Sequence, residues 1–256
     1  MSLVAERGTY STPELLATWV VPVGSPTAIA VGNTVIISMV ASHHRSLTSI
    51  TDTAGNTWNA VEGDLSTDAK GWLFWTTVTT AYGTGAEVSI TFGGGAGGAA
   101  TVAEYTPVTA VDVWAKNTSG GVTVAPWTTG PVSTAGGSLL VGVLAHSQSA
   151  AASYPTVDTD GAWTQNALVQ GSEVVRTVTS FWRSTGAAGS RAFDGEITGG
   201  RRWSTVLAAF VPASAVDAPT GLTVTAQGAG LRAAWTSGES EFVLQRERWT
   251  AAGTPP

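Results

Sequence analysis

The stretch Thr51-Asp52-Thr53-Ala54-Gly55-Asn56-Thr57-Trp58 decides the fold, because Val157-Asp158-Thr159-Asp160-Gly161-Ala162-Trp163 repeats it later in the chain. Three more pairs occur in the same order around it. Ala30-Val31-Gly32-Asn33-Thr34-Val35-Ile36-Ile37 precedes the first stretch, and Thr134-Ala135-Gly136-Gly137-Ser138-Leu139-Leu140-Val141 precedes the second. Leu73-Phe74-Trp75 parallels Ser180-Phe181-Trp182, and Val102-Ala103-Glu104-Tyr105-Thr106-Pro107 parallels Leu207-Ala208-Ala209-Phe210-Val211-Pro212. Matched by Gly32/Gly136, Trp58/Trp163, Trp75/Trp182 and Pro107/Pro212, the offsets are 104, 105, 107 and 105 residues. Four ordered matches at a nearly constant offset mark an internal duplication.

Within each copy the hydrophobic period is two. Val88, Ile90 and Phe92 alternate with Glu87, Ser89 and Thr91, and Trp72, Phe74, Thr76 and Val78 form another face. Such alternation is that of half-buried strands. Residues 34–41 and 138–145 are apolar on both faces, as expected of central sandwich strands. Gly93 to Gly98 and Gly199-Gly200 read as hairpin loops. Only residues 13–18 resemble a helical turn. The expected fold is all-β: two tandem antiparallel β-sandwich domains, jelly-roll-like, over residues 1–112 and 113–213, followed by residues 214–256 as a linker and partial unit.

Composition agrees with short strands and tight turns: 31 glycines, and only 12% charged residues against about 25% in ordinary soluble domains. The net charge is −6, and Lys70 and Lys116 are the only lysines. Without a basic face to neutralise phosphates, nucleic acid is excluded as a partner. The absence of cysteine removes disulfides, thiolate metal sites and cysteine nucleophiles together. Met1-Ser2-Leu3-Val4-Ala5-Glu6-Arg7 has no signal-peptide character, and no apolar run is long enough to span a membrane.

Residues that could carry chemistry are few. His43, His44 and His146 lack further ligands at metal spacing and read as surface-loop residues. Ser42 and Ser147 beside them lack a nucleophile-elbow motif. Asp194 and Glu196 share a strand face, and Asp158 and Asp160 share a loop, but spacing alone does not make a glycosidase pair. Asp52 and Asp158, ahead of Gly55 and Gly161, are expected to fold back on the backbone as Asx turns. Of the 11 tryptophans, Trp58, Trp163, Trp75 and Trp182 fall at repeat-equivalent positions and read as core residues. Trp19, Trp114, Trp127 and Trp203 have no aligned partner, so a ligand-stacking aromatic would be sought among them. No catalytic residue, metal site or cofactor is assigned, and no ligand-binding residue is named.

Two resemblances follow from these residues. Asp217-Ala218-Pro219-Thr220-Gly221-Leu222-Thr223-Val224-Thr225, with Leu231-Arg232-Ala233-Ala234-Trp235 and Phe242-Val243-Leu244-Gln245-Arg246, resembles the first three strands of a fibronectin type III domain. A full module of that kind needs seven strands, so either the chain continues past Pro256 or a neighbouring subunit covers the segment. The repeated Gly-led strand, the Asp52–Trp58 stretch, the aromatic strand and residues 102–105 resemble a β-sandwich module of phage tail and virion proteins, also seen in some carbohydrate-active proteins. Ten arginines against two lysines, with abundant Ala, Gly and Thr, resemble phages of high-GC hosts. The resemblance implies a non-enzymatic, tail-associated (minor tail) structural protein of a bacteriophage particle, assembled in the host cytoplasm. Its implied partners are other virion proteins, copies of itself and host-surface glycans. The alternative it implies is a carbohydrate-binding module.

Overall fold

The computed structural model describes residues 2–42, 45–66, 69–147, 163–170, 176–213, 220–227 and 230–236. Every regular element among them is a β-strand, and all pairings are antiparallel. Residues 1–213 form one compact unit and 214–256 another.

The first copy contains β1 (Leu3–Pro22), β2 (Thr34–Ser42), β3 (Leu47–Asp52), β4 (Asn59–Glu62), β5 (Ala69–Thr77) and β6 (Glu87–Tyr105). Its strands run in the order β1-β6-β2-β5-β4, with β3 also on β6. Two strands are far longer than the usual five or six residues, and both bend. The second half of β6 pairs with β2 and the start of β1, while its first half pairs with β3 and the end of β1. Both strands thus pass from one layer to the other, as corner strands of orthogonal sandwiches do. Between the layers lie Trp19, Val21, Ile37, Met39, Trp72, Phe74, Val88, Ile90 and Phe92.

Those bends correct two expectations. Residues 13–18 are strand, with register shifts at Thr12/Leu16 and Leu16/Thr18, because pairing with β6 overrides a weak helical spacing. Gly93 to Gly98 is no hairpin loop but the middle of β6. A Cβ at Gly95 would lie 2.7 Å from the Leu15 carbonyl oxygen, and one at Gly98 2.0 Å from that of Val40. Glycine is needed there for close backbone approach.

The second copy contains β7 (Val108–Thr118), β8 (Val124–Thr128), β9 (Val132–Thr134), β10 (Leu139–Ser147), β11 (Thr164–Gln170), β12 (Arg176–Ser184), β13 (Gly189–Arg191), β14 (Asp194–Arg201) and β15 (Trp203–Pro212). Its main sheet, β11-β12-β10-β15-β7, repeats the first copy's order β4-β5-β2-β6-β1. The long strands are broken here: β14 and β8 pair in one layer, β15 and β7 in the other. Gly199 and Gly200, at φ 79° and 63°, lie inside β14 at its register shift between Glu196 and Arg201, just before the break at Arg202, so this pair too is bent strand and not a hairpin loop. Residues 112 and 113 fall inside β7, which places the start of the second copy's first strand at Val108.

The two main sheets pack face to face. Ile36, Val40, Leu73, Ala99, Ala103 and Tyr105 of the first meet Val141, Val143, Ala145, Val178, Val206, Ala208 and Phe210 of the second in a shared core. This seam explains why every residue of β2 and of β10 is buried. One face of each strand closes its own sandwich, and the other closes the seam. The packing is two-fold: β5 lies on β10 and β15, while its counterpart β12 lies on β2 and β6. Trp75 meets Phe210 edge-on at 5.7 Å, and the equivalent Trp182 meets Tyr105 edge-on at 6.3 Å. Such reciprocity is that of an isologous dimer interface, here built inside one chain.

In the second unit, β16 (Thr220–Gln227) and β17 (Gly230–Thr236) pair as a hairpin. The expected third strand at Phe242 lies outside the described residues.

Candidate functional site

Three polar constellations stand out, and the first is built by the stretch that decided the fold. Asp52 ends β3, and its Oδ1 accepts the backbone N–H groups of Ala54 (2.8 Å), Gly55 (2.6 Å) and Asn56 (3.1 Å). That is the Asx turn expected from the sequence. Its Oδ2 accepts two further bonds, from Trp58 Nε1 and Tyr82 Oη, both at 2.6 Å. Partial burial acts to raise the Asp52 pKa, but these donors outweigh it and hold the carboxyl below its usual value. Burial, together with the bond to and the charge of Asp52, pushes the Tyr82 hydroxyl well up. Asn56 completes the knot by binding the backbone of Thr79 and Thr80. With five donors on one carboxylate, no lone pair is left for a substrate or metal, so the knot holds loops. Asp158 and Asp160 lie outside the described residues.

The second constellation corrects an expectation. His146 is no surface residue: it is 0% exposed. It sits opposite Trp203 and Thr177 in the register of the second sheet, on the face of Leu140 and Leu144. Burial lowers its pKa to about 4; the bond to the Ser147 carbonyl opposes this and the charge of Arg201 adds to it. The neighbouring Ser147 offers the ring that carbonyl (3.3 Å), which no Ser-His relay would use. His43 and His44 lie outside the described residues, and Ser42 is buried with Oγ accepting the N–H of Gly97. Asp194 and Glu196 share a face of β14, opposite Thr128 and Pro126. Among the described residues no three His, Asp or Glu side chains are grouped closely enough to hold a metal.

The tryptophans separate by burial. Trp19, Trp127 and Trp203 are buried, as is Trp163, while Trp58 packs half-buried against the first core. Trp75 and Trp182 pack against the seam instead of their own sandwiches. Trp114 alone among the described aromatics is exposed, at 50%.

Trp114 belongs to the third constellation, on the edge strand β7. Opposite Ala208 and Val206, Trp114 and Lys116 project from the seam side of the sheet. Lys116 Nζ lies 5.8 Å from the Trp114 ring centre and 2.8 Å from Asp64 Oδ1 of the first copy. The Asp64 segment is fastened down: Ser204 Oγ donates to the Asp64 carbonyl (2.7 Å) and accepts the N–H of Gly71 (3.1 Å). Gly63 N–H bonds Gly71 O at 2.8 Å, and a Cβ at Gly63 would lie 2.8 Å from Ser204 Oγ. Lys70, paired with Glu62 and 5.0 Å from the Trp72 ring centre, is nearby. Burial and the charge of Lys116 lower its pKa. Sequence reading gave no weight to either lysine, although their being the only two was visible.

No family model, curated protein or solved structure matches the chain.

Proposed function

We propose that this chain is a structural component of a bacteriophage particle, a tail-associated protein that contributes to attachment at the host surface, and that it is not an enzyme. The observation that carries this reading is the seam: two copies of one sandwich are clamped face to face with their polar clusters used to fasten loops. Asp52, read from the sequence as an Asx-turn residue, has every acceptor position occupied by protein donors. The faces of both main sheets are covered, while β1, β4, β7 and β11 lie at sheet edges. Edges are where further chains add to a β-protein, which suits partners that are other virion proteins and copies of itself. The resemblance of the repeat to virion modules, and of residues 217–246 to fibronectin type III strands, supports the same reading.

Immunogold microscopy of particles from the source strain, with antibody to the purified chain, tests it. Label at a fixed place on the particle, with self-association of the purified chain in sedimentation, is expected. A chain that stays monomeric at high concentration and leaves particles unlabelled would overturn the proposal.

A further inference from the structure

Among the described aromatics Trp114 is the one that the fold leaves half in water. Trp19, Trp72, Trp127 and Trp203 are buried in the two cores, and Trp58 with Trp163 and Trp75 with Trp182 fall at repeat-equivalent positions. Trp114 does neither. Its strand partner Ala208 is equivalent to Ala103, which pairs with Glu6; one copy thus has a carboxylate where the other has an indole. Neither core needs an aromatic at this place.

The surroundings of the indole are built and stiff. Lys116 is two residues along the same strand, and Asp64 reaches it from the other copy across the seam. Asp64 stands on a segment locked by Ser204, Gly63 and Gly71. Both charged groups keep water-facing surface, with side chains 33% and 44% exposed. An ammonium has three donors and a carboxylate about four acceptor sites, so their mutual bond leaves capacity on each. The result is an indole with the Lys116 ammonium over the ring and the Asp64 carboxylate bonded to that ammonium, presented on a strand where little ordering is needed on binding.

We propose that Trp114, Lys116 and Asp64 form a carbohydrate subsite for a neutral glycan. A pyranose ring offers one face of C–H groups to cover the indole, and hydroxyls that both donate to Asp64 and accept from Lys116. A polyanion is disfavoured by Asp64 and by the overall charge of −6, and a cationic ligand would meet Lys116. The site exists only because the copies are joined, since its carboxylate and its indole come from opposite sides of the seam. It deepens the host-attachment part of the proposed function, naming glycan as the class of receptor.

The test uses the full chain. Tryptophan fluorescence and calorimetric titration are run with malto-, cello- and N-acetylchito-oligosaccharides at millimolar concentration, on the wild type, Trp114→Ala, Trp114→Phe and Asp64→Asn. The wild type should bind at least one series, Trp114→Ala should weaken binding roughly tenfold or more, and Trp114→Phe should restore part of it. Asp64→Asn should weaken it while leaving the indole response visible. Thermal melting of Trp114→Ala should remain cooperative and fall only by a few degrees, because half of the ring is already in water. Absence of binding by the wild type would overturn the subsite and leave the particle role to microscopy. Binding that Trp114→Ala leaves unchanged would overturn the assignment of the site and keep a glycan role elsewhere on the chain.

Discussion

Replacing Asp52 with Asn changes one atom of the carboxylate and should unseat the loop that names the repeat. The amide oxygen can keep the three backbone N–H bonds to residues 54–56, which then turns the amide nitrogen towards Trp58 Nε1 and Tyr82 Oη. Trp58 Nε1, a donor only, would then face a second donor at 2.6 Å, while the Tyr82 hydroxyl can rotate to accept from the amide. Hydrogen bonds to charged groups contribute about 1.5–3 kcal/mol each and neutral ones about 0.5–1.5 kcal/mol, so losing the first and neutralising the second would amount to roughly 2.5–4.5 kcal/mol if dry. The carboxylate is half-exposed and water can partly replace the lost partner, which brings the expected loss to about 2–4 kcal/mol. In a unit of this size that lowers the melting temperature by roughly 5–15 °C. The assay is urea unfolding followed by tryptophan fluorescence, repeated across pH. Because the folded pKa of Asp52 lies below its unfolded value of about 3.9, its contribution is fully present above that value and is lost as pH falls through the folded pKa. The gap between wild type and Asp52→Asn should therefore be constant near neutrality and close below about pH 4. A variant within about 0.5 kcal/mol of wild type at pH 7, or a gap that persists unchanged into acid, would refute this account.

Three further outcomes are expected. Glu104→Ala leaves Arg7, buried and bonded to it through Nε at 2.7 Å, without its partner, and should cost about 3–5 kcal/mol in urea unfolding; the double variant Arg7→Met/Glu104→Leu should recover most of it, and a mild single variant would contradict the buried pair. Trp75→Ala and Trp182→Ala remove equivalent sides of a two-fold seam, so each should cost about 2–4 kcal/mol with matched loss of amide-exchange protection in β10 and β2; a large inequality would argue against the symmetry. His146, with a pKa near 4 when folded and about 6.5 unfolded, favours folding less as pH drops between those values, because only the unfolded chain takes up the proton there. Stability should fall by roughly 3 kcal/mol over that range, and His146→Gln should remove this slope, which calorimetric scans at pH 7, 5.5 and 4.5 will read.

Some of the site was legible in the chain and some was not, for reasons of distance. The Asx turn at Asp52 is local: an Asp three residues before Gly suffices to read it. Its second oxygen is satisfied by Tyr82, 30 residues away, and nothing in the stretch announces that partner. His146 reads as a loop residue because its neighbours are Ala145 and Ser147, yet it lies on the inner face of a sheet whose depth depends on Trp203 and Thr177 across two strands. Gly93 to Gly98 carries the composition of a turn, but the approach of Val40 and Leu15 uses the missing Cβ for close packing. Trp114 was one of four unmatched tryptophans, and burial separated it from the other three.

The sequence by itself determined that the chain is a duplicated all-β protein, because the period of two and the 105-residue echo are properties of neighbours along the chain. It also determined that Asp52 turns the backbone in the middle of the first copy. How the copies meet was decided only by tertiary structure. The doubly apolar strands 34–41 and 138–145 carry the signal for two buried faces, but a pattern cannot say whether the second face is covered by the same copy or by the other. That choice rests on the fit of Trp75 against Phe210 and of Trp182 against Tyr105, contacts across the whole chain that exist only once both sheets are formed.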